Sequence, residues 1–142
     1  MNDIDQKLFN FYESKWSKIS DILHANERLS YPLFISVPQA YIEAKRKLMI
    51  VGQQGYQWGF SKKDSVRDHK WNSIQTLMQE YETFALGKQL GKPYRKTPFW
   101  QATHEIYTLL NPNSSPGGFM WSNLIPVDER NKRPPAEEQR LC

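Results

Sequence analysis

Cysteine is all but absent: the 142-residue chain has one, Cys142, at its last position. No intrachain disulfide can form and no cysteine cluster can hold a metal, so a reducing cytoplasm is the simplest expected setting. Long apolar runs are missing too. No segment approaches the roughly 20 residues needed to cross a bilayer. The opening MNDIDQKLFNFYESKW mixes acids with apolar residues, where a signal peptide would be basic and then continuously apolar. The chain therefore reads as soluble, cytoplasmic and without a membrane partner. It has no internal repeat and no low-complexity tract. No His, Asp or Glu spacing makes a metal site, and no serine or cysteine has a base near it in sequence, so neither a metal nor a cofactor is expected.

What is present suits one modest domain spanning residues 1–142, with 39% hydrophobic residues. Lys and Arg number 19 against 15 Asp and Glu, a net charge of +4 that is compatible with a polyanionic partner. Five Trp, seven Tyr and seven Phe provide core volume and flat faces on which a nucleobase could stack.

Ile4, Leu8, Phe11, Tyr12, Trp16, Ile19 and Leu23 recur at spacings of three and four, which predicts an amphipathic helix within residues 1–30, opening at Asp3 as N-cap. Leu33 to Val37 reads as extended, and Pro38 suits the first turn of a short helix reaching about Lys45. Lys47 to Val51, with its apolar run Leu48 to Val51 stopped by Gly52, has the pattern of a central parallel strand covered on both faces. The polar, basic loop GQQGYQWGFSKKDSVRDHK follows, long enough to suggest a functional role. Trp71, Ile74, Met78, Tyr81 and Ala85 predict a second long helix ending before Gly87. Thr97 and Pro98 open another, with Phe99, Thr103, Ile106 and Leu110 as its core face. Gly118 to Ile125 has strand composition, PVDERNKRPP is polar, and Pro135 with Glu137 and Glu138 reads as a helix start. Asp128 and Glu129 read as a solvated turn, with replacement acids as the alternative, and His104 as a side chain that faces solvent or caps a neighbour.

Strands separated by helices imply an α/β fold with a parallel sheet, in which ligands bind beyond the carboxyl ends of the strands. The loops after Val51 and Leu124 both leave from such ends. With two confident strands where three or more are usual, the chain reads as the front portion of a larger α/β domain.

At these loops the sequence resembles a known family. Gly52-Gln53-Gln54-Gly55-Tyr56-Gln57 is similar to the water-activating motif of uracil-DNA glycosylases, Gly-Gln-Asp-Pro-Tyr-His, at the end of the first core strand. WSNLIPVDERNKRPPAEEQRLC, Trp121 to Cys142, is similar to a segment of the iron-sulfur, thermophile-type members. Asn123 matches the base-reading asparagine, and Asn131, Arg133, Pro134, Pro135, Glu137, Glu138 and Cys142 follow in family order.

The resemblance covers about Lys47 to Cys142 and implies the family's three-layer α/β/α fold and a flipped base held in a tight pocket. It implies that Asn123 reads uracil's Watson-Crick edge, that Tyr56 excludes the thymine methyl, and that Gly52, Gln53 and Gln54 form the ligand loop. Trp58 or Phe60 would stack on the base, and Lys62, Lys63, Arg67, Lys70 and Arg133 would meet phosphates.

The departures are equally specific. Gln54 stands where the family has an acid, and a carboxamide can orient a water but not take its proton. Val127 replaces a cluster cysteine and no N-terminal cysteine pair exists, which excludes an iron-sulfur cluster. The family's second half, with its His-Pro-Ser type motif, has no counterpart. Two expectations result. One is a uracil-DNA glycosylase-like domain that binds DNA or a flipped base, a DNA-repair hydrolase if active. The other is a non-catalytic nucleic-acid-binding or interaction module whose open sheet edge is completed by a second copy or a partner chain.

Overall fold

A computed structural model describes residues 2–54, 58–59, 67–85 and 97–129. Helix α1 (Asp3–Ala25) is followed by α2 (Gln39–Glu43), strand β1 (Met49–Gln54), a 3-10 turn (His69–Trp71), α3 (Ile74–Ala85), α4 (Pro98–Leu110) and strand β2 (Met120–Ile125). The chain is thus a small α/β fold with a two-stranded parallel sheet and flanking helices.

The N-cap of α1 is Asn2, not Asp3: its side chain accepts from Asp5 N–H at 2.9 Å. Asp5 is buried and accepts from Val37 N–H (2.7 Å), Ser36 Oγ (3.2 Å) and Asn2 Nδ2 (3.0 Å), which fastens the start of α1 to the extended segment before α2. Ile19 and Leu23 are buried, and Leu8, Tyr12 and Trp16 pack beside them; Ile4 and Phe11 are exposed, so the predicted stripe is narrower than its spacing implied.

Two core clusters result. The first joins α1, α3 and the segment from Leu29 to Phe34; the second joins α3, α4 and one face of the sheet through Tyr81, Tyr107, Phe119 and Trp121. The predicted face of α4 is rotated by part of a turn. Thr103 is buried as expected, but Tyr107 accompanies it, while Phe99, Ile106 and Leu110 lie outside and Leu109 is 76% exposed. Trp100 and Tyr107 share the spacing of the expected stripe and carry larger rings, which pack on Phe119 and Trp121.

Strand β1 does not stop at Gly52; it continues to Gln54, pairing Gly52 with Asn123 and Gln54 with Ile125. Nor is it covered on both faces. Ile50 lies on the packed face with Trp121, whereas Met49 and Val51 are 48% and 53% exposed and Leu124 on β2 is 77% exposed. Among the described residues the helices cover one face of the sheet.

Two tyrosine hydroxyls replace strand neighbours. Tyr81 Oη donates to Trp121 C=O (2.8 Å) and accepts from Trp121 N–H (2.9 Å); Tyr12 Oη does the same for Ile35, at 3.3 and 3.0 Å. Burial pushes the Tyr12 phenol up to about 12 from the ordinary 10.0, and raises Tyr81 as well. The folded chain therefore holds these protons more tightly than the unfolded chain. The contribution of both is complete below about pH 10, and that of Tyr12 is lost as pH climbs through 12. Urea midpoints should hold steady to about pH 10 and then fall, and Tyr12→Phe should make that fall shallower. An unchanged alkaline slope in Tyr12→Phe would refute the assignment.

Candidate functional site

The site expected from the two loops is assembled by strand register. Parallel pairing brings the carboxyl ends of β1 and β2 to the same edge of the fold, and in that pairing Gly52 lies directly beside Asn123, 71 positions later in the chain (123 − 52). A Cβ built on Gly52 would sit 2.6 Å from Asn123 Oδ1. The carboxamide thus occupies the space that any other residue at 52 would fill. Glycine here permits the close approach of the carboxamide and is not demanded by an unusual φ.

Asn123 shares the packed face of β2 with Trp121, two residues earlier. Trp121 stacks on Tyr81 at 5.2 Å and also meets Phe84 (4.9 Å), Trp100 (5.3 Å) and Trp58 (5.7 Å). Trp58 itself is wedged edge-on between Trp71 and Phe84, at 5.0 and 5.5 Å. Its ring is engaged in packing against both cores, so it is not a free face for a stacked base. The indole N–H groups of Trp58 and Trp121 are buried and meet no acceptor among the described residues. On α3, Glu80 has a buried Oε2 without a donor, and burial, then the charge of Asp68, raises its carboxyl above the usual range.

The other expected site residues separate. Gln53 is exposed and follows Gly52 on β1; Gln54 ends the strand opposite Ile125, and its side chain is outside what is described. Arg67, expected on a phosphate, is committed instead to the end of α1. Its guanidinium donates to the carbonyls of Leu23, Asn26 (3.3 Å) and Leu29 (3.4 Å) and lies over the Tyr31 ring at 5.6 Å. A cation suits the negative end of a helix, and these carbonyls have no intrahelical partner. Lys70 is exposed on the 3-10 turn. Tyr56, Phe60, Lys62, Lys63 and Arg133 lie outside the described residues, as does the expected helix start at Pro135.

Asp128 and Glu129 are not a solvated turn. Asp128 is fully buried, its N–H donating to Ser30 Oγ at 2.9 Å and its carbonyl accepting from Ser30 N–H at 2.7 Å, while Glu129 pairs with Arg28 at 2.9 Å. The chain leaving β2 runs antiparallel to the segment that follows α1, through a bridge between Leu29 and Glu129. Polar composition predicted water; the backbone pairing requires burial. His104, expected in solvent or capping a neighbour, is half-buried, with its ring edge-on to Phe119 at 5.1 Å.

Trp121 and Glu80 were not found by sequence reading. Trp121 had a signal, since a residue two before Asn123 on a strand shares its face. Glu80 had none. No group of three His, Cys, Asp or Glu among the described residues could hold a metal, and no described helix is long and apolar enough to cross a membrane. Compared with protein-family models, with curated proteins and with solved structures, the chain matches none of them.

Proposed function

We propose that this chain is a uracil-DNA glycosylase-like domain that binds a flipped nucleobase of DNA at the carboxyl ends of β1 and β2, with Asn123 reading the base. The observation that carries this reading is the register pairing of Gly52 with Asn123, the carboxamide lying over the glycine. Gly52 and Asn123, which come from the two stretches that resemble the family, are neighbours in space toward the carboxyl ends of the strands, where α/β folds bind ligands.

A carboxamide presents a donor and an acceptor side by side, which matches the edge of uracil and opposes that of cytosine. Turnover is a separate matter. Gln54 can orient a water toward the N-glycosidic bond but cannot take its proton, and loss of a general base costs about 10²- to 10⁴-fold. Binding is therefore the primary readout, and slow or absent excision is expected.

Asn123→Ala should weaken binding of a uracil-containing single-stranded oligonucleotide by about 1–3 kcal/mol, or about 5- to 150-fold. Gly52→Ala should weaken it comparably while the fold persists, because the added methyl displaces the end of a side chain rather than backbone. The double variant should then bind no worse than Asn123→Ala alone. Titration calorimetry against the same oligonucleotide with and without uracil decides the matter. No preference for uracil in the wild type, or full additivity of the two changes, refutes the reading.

A further inference from the structure

Strand β1 has the composition of an interior strand and the surroundings of an edge. Its apolar run, LMIV, is what a strand buried on both faces carries. Met120 N–H donates to Leu48 C=O at 2.9 Å, and in this parallel register the N–H and C=O of Met49, Val51 and Gln53 point away from β2. Among the described residues no hydrogen bond reaches the backbone of Met49 or Val51 on that side. On the far side of β2 the Tyr81 hydroxyl takes both polar groups of Trp121, which closes the middle of that edge to a further strand.

Natural edge strands refuse partners with charge, proline or a bulge. From Leu48 to Ser61 there is no charged residue and no proline, and β1 pairs without a bulge. We infer that two copies of this chain pair through β1, antiparallel about a two-fold axis at Val51, to give one sheet in the order β2, β1, partner β1, partner β2.

Three features point to a second copy. The edge is neutral, so a like strand meets no repulsion, while an acidic or basic strand gains nothing from it. Val51 directs both polar groups outward and so forms a hydrogen-bonded pair with its own copy, flanked by Met49 against the partner's Gln53; about six main-chain bonds result. On the packed face, Ile50 falls opposite the partner's Gly52, a large side chain against none. The dimer has four strands, more than the three that a stable sheet normally requires. The inference is independent of base reading, since Val51 and Asn123 face opposite sides of the sheet.

Light scattering on the full chain should give twice 16.8 kDa, and deuterium exchange should find the Met49, Val51 and Gln53 amides protected. Val51→Lys sets two ammonium groups across the axis on an already exposed position, and should raise the dimer dissociation constant by roughly tenfold or more. It should also free those amides while leaving any uracil binding unchanged. A monomeric wild type overturns the inference, as does a dimer whose β1 amides exchange freely or one that Val51→Lys leaves intact. The exchange measurement on the wild type decides even where the variant fails to fold.

Discussion

Trp121→Ala should lower the unfolding free energy by about 3–5 kcal/mol, the range for deleting a large buried ring. Trp121 is 6% exposed and touches four other rings, Tyr81, Phe84, Trp100 and Trp58, contributed by two helices and by the stretch after β1. Removing it leaves a space bordered by rigid planes that cannot all tilt inward together, so little of the cavity cost is recovered. Against a typical total of about 5–15 kcal/mol, the variant should stand close to unfolding at room temperature. Trp121→Phe keeps the face stacked on Tyr81 and should lose markedly less. Urea titration at constant slope is the measurement, and a loss below about 2 kcal/mol would mean that the surrounding rings collapse freely into the gap.

Tyr81→Phe should cost about 2–6 kcal/mol without creating a cavity, because one hydroxyl is the partner of two buried backbone groups, each worth about 1–3 kcal/mol when left unpaired. The ring and its stacking on Trp121 are retained, so the loss isolates the hydrogen bonds at 2.8 and 2.9 Å. Tyr12→Phe is the internal control. It removes the same pair of bonds from Ile35, but Tyr12 and Ile35 are only partly buried, and water can take the vacated positions. The Tyr81 change should therefore be the more severe of the two. Equal losses would mean that water reaches Trp121 as easily as Ile35, which its burial argues against.

The helices were legible where spacing and caps agreed: Thr97-Pro98 opens α4 at the predicted residue, and Ile74, Met78 and Tyr81 bury the predicted face of α3. Periodicity misjudged α4 because two stripes share one helix, and hydrophobicity alone ranks Phe99, Ile106 and Leu110 level with Trp100 and Tyr107. The end of β1 was misread for a related reason. Glycine normally punctuates a strand, but Gly52 continues it to make room for a side chain 71 positions away, information that no local window contains. Of the expected site, Gly52 and Asn123 do meet, because strand order and direction were readable. Arg67 went elsewhere, since a carbonyl cage at the end of α1 is written in tertiary structure and not in the charge of the loop. Asp128 looked like surface for the same reason.

The ring cluster around Trp121 also gives the molecule an optical character. Four of the five tryptophans, Trp58, Trp71, Trp100 and Trp121, form one connected array, and Trp16 stands apart against Phe34 on α1. Indoles held at fixed angles and about 5 Å apart exchange excitation and give a strong near-ultraviolet circular dichroism, which vanishes when side-chain packing loosens while helices survive. Because Asn123 sits two residues from the hub of that array, an event at the end of β2 should alter the emission of the group, with Trp16, outside the array, as a built-in reference.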